Sequence, residues 1–297
     1  MNTCAVIVTY NRRDLLKKCL INVLDQALPV NNIFVFNNDS DDGTQDMLEK
    51  EFGDDSKIHV YNSPKNIGGA PGFSEALKKA YQTTDDDYFW IMDDDTIPTA
   101  TATEGFQTAI NNLDNNFGFL CSKVLWKDGS TVNAPIIDRY IWANKLASNV
   151  IGVERATFVS ILVKREMVRN VGIPAADMVI WGDDTEYTMR LSNQKESYLV
   201  LDSTVYHDTA KNTNNLNILN DDIERMGRYF YKYRNAITTT KMYSTKVQLG
   251  KITLKNFKEV GQICFSKNTN KLMRSKTIIK GMLCGFAFKP KIEKVHQ

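Results

Sequence analysis

The sequence predicts an α/β protein: a doubly wound, mostly parallel sheet with helices on both faces, followed by a basic helical C-terminal appendage. Three observations carry this. Short apolar runs alternate with stretches of helical periodicity from the first residues onward. The run Tyr88-Phe89-Trp90-Ile91-Met92 reads as a buried strand that ends in three consecutive carboxylates, Asp93, Asp94 and Asp95. Charge is also lopsided: residues 241–297 hold thirteen Lys or Arg and two Glu, in a chain whose formal net charge is only +2.

Cys4 to Val8 is the first strand. Leu15, Leu16, Cys19, Leu20, Val23 and Leu24 then recur at helical spacing, with Asn11 expected as N-cap and Pro29 beyond the end. Asn32 to Phe36 is the second strand, followed by the turn-rich Asn37 to Thr44 and a helix opening at Asp46-Met47-Leu48. Lys57 to Tyr61 is the third. Asn66-Ile-Gly68-Gly69-Ala-Pro-Gly72 leads into a helix with Phe73, Ala76, Leu77, Ala80 and Tyr81 on one face. Further strands are expected at 118–126, 156–163 and 198–202, short or long helices at 165–171, from 183 and over 221–241, and an irregular loop over 130–150 carrying Tyr140 and Trp142 on the acceptor side.

Carboxylates at a strand's carboxyl end face the crevice where open α/β sheets bind ligands. Asp93 and Asp95, one residue apart, can aim oxygens at one hard cation, with a diphosphate completing the shell; an isolated pair of this kind is otherwise a solvated acidic turn. Glycines at 68 and 69 let backbone N–H groups approach a phosphate or sugar, though this is neither a Walker loop nor a G-x-G-x-x-G loop. A second acidic pair, Asp183-Asp184, opens a helix after Trp181-Gly182; the helix dipole alone accounts for acids there. Trp181 is either an apolar wall for a sugar face or plain core.

Thr9-Tyr-Asn11, Asn37-Asn-Asp-Ser-Asp-Asp-Gly43-Thr44, Asn66 to Gly72 and Asp93-Asp94-Asp95 together resemble the family 2 glycosyltransferases of GT-A fold, over about residues 3–240. Within that family the glycine-rich loop and triple aspartate look most like bacterial galactofuranosyltransferases and rhamnosyltransferases. The resemblance implies a metal-dependent inverting transfer from a nucleotide sugar. It assigns Asp93, Asp95 and His207 to Mn²⁺ or Mg²⁺, and Thr9, Asn11, Asn37, Gly68, Gly69, Asp93 and Asp94 to the donor. Asp184 becomes the general base, with Asp183 beside it, and Trp181 an acceptor contact. Many relatives carry Asp where Asn37 stands; an amide still accepts from a pyrimidine imide N–H. Arg234, in an aromatic-Arg-Asn stretch shared with relatives, would pair with a diphosphate or brace the acidic motif. UDP-galactofuranose is the expected donor and dTDP-rhamnose the alternative; the acceptor is a saccharide, lipid-linked or free, in cell-surface polysaccharide synthesis. A nucleotidyltransferase would need a basic glycine-rich loop near the first strand, which Thr9 to Asp14 lacks. A non-catalytic sugar-binding module is the third class.

Residues 1–240 are thus expected to form the transferase domain, and 241–297 a separate basic segment. Its lysines interleave with Val247, Leu249, Ile252, Leu254, Phe257, Val260 and Ile263 and with the apolar stretches Ile278-Ile279 and Met282 to Phe288, which suits either an anionic membrane face or packing on the body or a second subunit. Five cysteines without paired spacing predict reduced thiols in a cytoplasmic protein, peripheral at the inner membrane face. Cys4 to Val8 is too short for a signal peptide, and no apolar run approaches the ~20 residues of a span. No nucleic-acid partner is expected; a homo-oligomer is compatible.

Overall fold

The computed structural model describes residues 1–210, 217–267 and 269–295; the tail histidine His296 lies outside the described residues. The first half alternates without exception: β1 (Thr3–Thr9), α1 (Arg13–Leu24), β2 (Asn32–Asn37), α2 (Thr44–Phe52), β3 (Ile58–Asn62), α3 (Gly69–Thr83) and β4 (Tyr88–Asp93). These strands pair in parallel in the order β3-β2-β1-β4. β1 shows why: all seven residues are buried, with Ala5 and Ile7 packing on one face against α1 and Cys4, Val6 and Val8 on the other against α3. The register aligns Thr9 with Asn37, Asn37 with Asn62 and Val8 with Asp93. One edge of the sheet therefore presents the carboxyl ends of four strands together.

The second half is mixed. β5 (Thr96–Pro98), α4 (Ala102–Asn112), β6 (Phe119–Trp126), β7 (Ile136–Ile137), β8 (Val150–Arg155), β9 (Ile161–Lys164), α5 (Arg165–Val171), α6 (Asp183–Ser192) and β10 (Ser197–His207) follow. The sheet continues β4-β9-β6-β10-β8-β7, and β5 pairs with β10. β6 and β10 are parallel, whereas β9, β8, β7 and β5 make short antiparallel ladders.

Three expectations need correction. The strand expected over 156–163 forms only at its end, as the start of β9, and residues 156–160 are a break between β8 and β9. Its backbone is engaged by side chains instead: Thr96 Oγ1 donates to the Val159 carbonyl (2.8 Å), and the Ala156 N–H donates to Thr188 Oγ1 (3.2 Å). The 130–150 loop is not wholly irregular, since β7 pairs with β8. Asn11 does not cap α1. Its φ is +52°, its side-chain oxygen accepts from the Asp41 N–H at 2.8 Å, and α1 starts at Arg13. Asn tolerates the left-handed region, so it served to turn the chain rather than to cap it.

At the C-terminus α7 (Met226–Tyr243), α8 (Lys246–Phe265) and α9 (Lys271–Ala287) enclose a small core of Ile218, Met226, Tyr229, Tyr233, Ile263 and Ile278. The expected 221–241 helix begins later, after a single 3-10 turn at Ile223–Arg225. Thr245 and Gln248 form a capping box at the start of α8. α9 crosses α7 closely because of Gly281 and Gly285: a Cβ there would lie 2.6 Å from the carbonyl oxygens of Phe230 and Arg234 respectively. The chain then returns to the body, where the Ile173 N–H donates to the Glu293 carbonyl (3.0 Å) and Val295 is buried.

Candidate active site

The carboxylate end of β4 and the last residue of β10 meet because β5 doubles back antiparallel on β10, pairing Thr96 with His207. Asp93, Asp95 and His207 thereby come together, each offering one ligand atom, all within 4.8 Å of one another. Nε2 of His207 is 3.0 Å from Oδ1 of Asp95, and Nδ1 is 2.9 Å from the side-chain oxygen of Asn133. The Asn133 contact puts a proton on Nδ1 and turns the Nε2 lone pair of a neutral ring toward Asp95. The buried Oδ1 of Asp95 correspondingly accepts no well-aligned hydrogen bond. Two lone-pair donors about 3 Å apart match neighbouring ligands of an octahedral ion with bonds of ~2.1 Å. The three residues fit a divalent cation. Without one, the imidazolium is the group placed to answer Oδ1 of Asp95, while Arg12 answers Oδ2. Burial opposes that charge, but the close approach of Asp95 and the negative charges of Asp95 and Asp93 outweigh it and raise His207.

The three aspartates differ. Burial and the Asp95 charge push Asp93 up to about 7, and burial pushes Asp94 up to about 6 despite Arg12. Burial also works against ionisation of Asp95, but contacts with His207 and Arg12 hold it below its ordinary value. Arg12 is a contact that spacing did not expose. Its guanidinium bonds Asp94 (3.1 Å) and Asp95 at once, supplying positive charge to a cluster that would otherwise repel itself. Thr9 is buried beneath Asp94, donating to Oδ2 at 2.8 Å.

The residues expected on the nucleotide side form one network. Asn37 is buried, donating to Asn62 (2.9 Å) and accepting from the Ser40 N–H (3.2 Å). Its neighbour Asn38, not singled out from sequence, grips the glycine loop: it accepts from the Ile67 N–H (2.9 Å) and donates to the Gly68 carbonyl (3.1 Å). Gly68 has φ +93°, and α3 starts at Gly69, where a Cβ would meet open space. The start of α3 is fastened across the cleft, since the Ala70 N–H donates to the Val179 carbonyl (3.1 Å).

Val179 begins the second acidic motif. Val179 (φ +68°), Trp181 (φ +57°) and Gly182 (φ +104°) lie in the left-handed half of backbone space just before α6. For a β-branched residue that is an outlier, so something must hold it. Asn235 on α7 does so: its amide nitrogen donates to the carbonyls of Met178 (2.9 Å), Ile180 (3.2 Å) and Trp181 (2.7 Å). Arg234 adds bonds to Asp177 (2.7 Å) and Met178 (3.1 Å). Of the two expected roles for Arg234, bracing the motif is the one it has here. Trp181 is half-buried, packed edge-on against Tyr229 (centroids 5.3 Å). Asp183 is buried, and burial, the Asp184 charge and the Asp93 charge push it up to about 8. The charge of Asp93 is near enough to contribute to that rise. Asp184 is more open, its Oδ1 accepting from the Thr185 N–H (2.6 Å); burial raises it too.

Fold and site together define an α/β protein with a metal-competent carboxylate–imidazole cluster and a second acidic pair at the start of α6. The profile of Glycosyl transferase family 2 matches residues 4–157, just over half the chain, and the chain belongs to that family. Galactofuranosyltransferase GlfT1 of Mycolicibacterium smegmatis is 24% identical over 201 residues, covering 63% of this chain and 64% of that protein. A putative teichuronic acid biosynthesis glycosyltransferase, TuaG of Bacillus subtilis, is 35% identical over 72 residues, covering 24% of this chain and 29% of that one. The chain thus spans less than two thirds of either relative. Among solved structures, S. aureus TarS 1-349 in complex with UDP superposes with TM-score 0.60 at 12% identity, covering 97% of this chain and 91% of that one. The same protein in complex with UDP-GlcNAc gives TM-score 0.57 at 14% identity, covering 95% and 79%. The fold is therefore GT-A.

Proposed function

We propose that this chain is a metal-dependent inverting glycosyltransferase that moves galactofuranose from UDP-galactofuranose to a saccharide acceptor in cell-surface polysaccharide synthesis. The observation that carries the reading is the meeting of Asp93, Asp95 and His207, with Asp183 near enough to feel the Asp93 charge. The galactofuranosyltransferase relative supports the sugar, and the UDP carried by the TarS structure supports the nucleotide.

Asp93, Asp95 and His207 would hold Mn²⁺ or Mg²⁺, and such a cation would supply positive charge against the departing diphosphate. Thr9 orients Asp94 beneath that charge. Asn11 and Asn37 border the nucleotide base, and Gly68 and Gly69 let the backbone approach the donor. Asp184 takes the proton from the acceptor hydroxyl as its oxygen bonds the anomeric carbon. The bond from that carbon to the diphosphate oxygen breaks, and its electron pair leaves with the nucleoside diphosphate. A single displacement inverts the centre. Asp183, pushed up to about 8, stays protonated near neutrality and leaves the negative charge of the pair on the more open Asp184. Trp181 offers its exposed part to the acceptor.

The test is nucleoside diphosphate release from UDP-galactofuranose, UDP-N-acetylglucosamine and dTDP-rhamnose, with and without chelator. Release from the first alone, abolished by chelator, is expected. Turnover of another donor reassigns the sugar; full chelator resistance ends the metal role. Asp184→Asn should abolish transfer with donor binding kept, and retained transfer removes Asp184 as base.

A further inference from the structure

We propose that the outer face of α8 and α9 docks the protein flat on an anionic lipid bilayer. On α8, Val247 (67% exposed), Leu254 (71%), Phe257 (52%) and Phe265 (94%) recur at near-whole turns and form one stripe. On α9, Leu272 (83% exposed), Ile279, Leu283 (60%) and Phe286 form another. The opposite sides of both helices are already committed: Asn256 and Ile263 of α8 and Arg274, Ile278 and Met282 of α9 are buried. The two stripes join in an apolar cleft where Leu249, Leu254 and Phe257 face Phe286. A solvent-facing helix pair does not normally carry so much contiguous apolar surface.

The charges identify the occupant. Lys251, Lys255 and Lys258 flank the α8 stripe, and Lys276 and Lys280 flank that of α9; all five are exposed. None of them forms an ion pair among the described residues. The two acids of the segment are turned away: Glu259 lies inward beside Lys232 and Tyr233, and Glu293 pairs with Lys78 at 2.6 Å. The face is therefore purely cationic around its apolar centre. A second copy presenting the same face would oppose lysine to lysine. A nucleic-acid backbone would answer the lysines but leave Leu254, Leu272 and Leu283 in water. Anionic headgroups over acyl chains answer both. No helix of the described residues is long and apolar enough to cross a membrane, so the contact is superficial.

The same packing ties this surface to the cleft. α9 lies on α7 through Gly281 and Gly285, and α7 carries Arg234 and Asn235, which hold the second acidic motif. Docking would fix how the cleft is presented to an acceptor at the bilayer. The surface is independent of which sugar is transferred, and its test does not use activity.

The experiment is co-sedimentation of the full chain with phosphatidylglycerol/phosphatidylcholine vesicles and with pure phosphatidylcholine vesicles. The expected result is binding to the anionic vesicles only, weakening as salt is raised. Leu254→Glu/Phe257→Glu and Lys251→Glu/Lys258→Glu should each weaken binding by about tenfold or more with the circular dichroism spectrum unchanged. Leu272→Glu/Leu283→Glu repeats the test on α9 should the first pair fail to fold. A wild-type chain that stays in the supernatant with every vesicle overturns the proposal, as do variants that bind like wild type. Light scattering that finds a dimer broken by Leu254→Glu/Phe257→Glu, with no vesicle binding, assigns the face to a second copy instead.

Discussion

Replacing Asn235 by Ala tests how the second acidic motif is held. The side chain is 1% exposed; its nitrogen serves three carbonyls and its oxygen accepts from Arg234 Nε at 2.9 Å. Alanine leaves the Ile180 and Trp181 carbonyls and one guanidinium N–H without this partner, while the Met178 carbonyl keeps Arg234 and the Ile180 N–H. At about 1 kcal/mol net per hydrogen bond, the loss is about 3–4 kcal/mol if nothing moves. Movement is expected, however. Val179 and Trp181 sit at positive φ, each costing about 1–3 kcal/mol that the Asn235 bonds oppose. Relaxation returns part of this, so the net loss is about 2–4 kcal/mol, or roughly 3–6 °C in Tm for a chain of this size. Relaxing residues 179–182 also moves Asp183 and Asp184, which follow directly. A displacement of ~1 Å at reacting groups costs about a hundredfold in rate. Thermal unfolding, kcat and calorimetric donor affinity are the readouts: Tm and kcat should fall while donor affinity changes little. Asn235→Asp, which keeps the acceptor but removes the donors, should be at least as damaging. An alanine variant within ~2 °C of wild type and fully active would refute the bracing role.

The other predictions concern charge, metal and packing. Because the folded-state value of Asp183 is raised to about 8, its ionisation costs stability that is intact below its ordinary value and lost as pH rises toward 8. Asp183→Asn should therefore raise Tm most at pH 8–9 and hardly at pH 4; a gain confined to acid contradicts this. His207→Ala should weaken Mn²⁺ binding, measured by calorimetry without donor, by at least about tenfold; unchanged affinity removes His207 from the metal site. Gly285→Ala brings a Cβ to 2.6 Å from the Arg234 carbonyl oxygen and should cost about 1–3 kcal/mol. Gly250→Ala, at an exposed helical position with nothing within 4 Å, should stabilise by up to ~1 kcal/mol. Equal effects at the two glycines would mean that α7 and α9 do not pack closely.

Much of the molecule was legible along the chain because its signals are local. Buried parallel strands read as continuous apolar runs, so β1, β2 and β4 appear at once, and three adjacent aspartates after β4 mark the strand end where ligands bind. Helix periodicity found α1 and α3 for the same reason. What depends on partners distant in sequence was decided only in three dimensions. The break at 156–160 comes from Thr96 and Thr188 claiming backbone groups, and no pattern within 156–163 encodes that. Arg12 reaches Asp94 and Asp95 across more than eighty residues, and Asn133 reaches His207 across seventy-four. Asn235 left a faint trace as part of the aromatic-Arg-Asn stretch, but a sequence shows a residue type and not which carbonyls its amide meets. Periodicity records which side of an element is apolar. Hydrogen bonds between remote segments are set by where the folded elements finally cross, and a linear pattern carries no such coordinate.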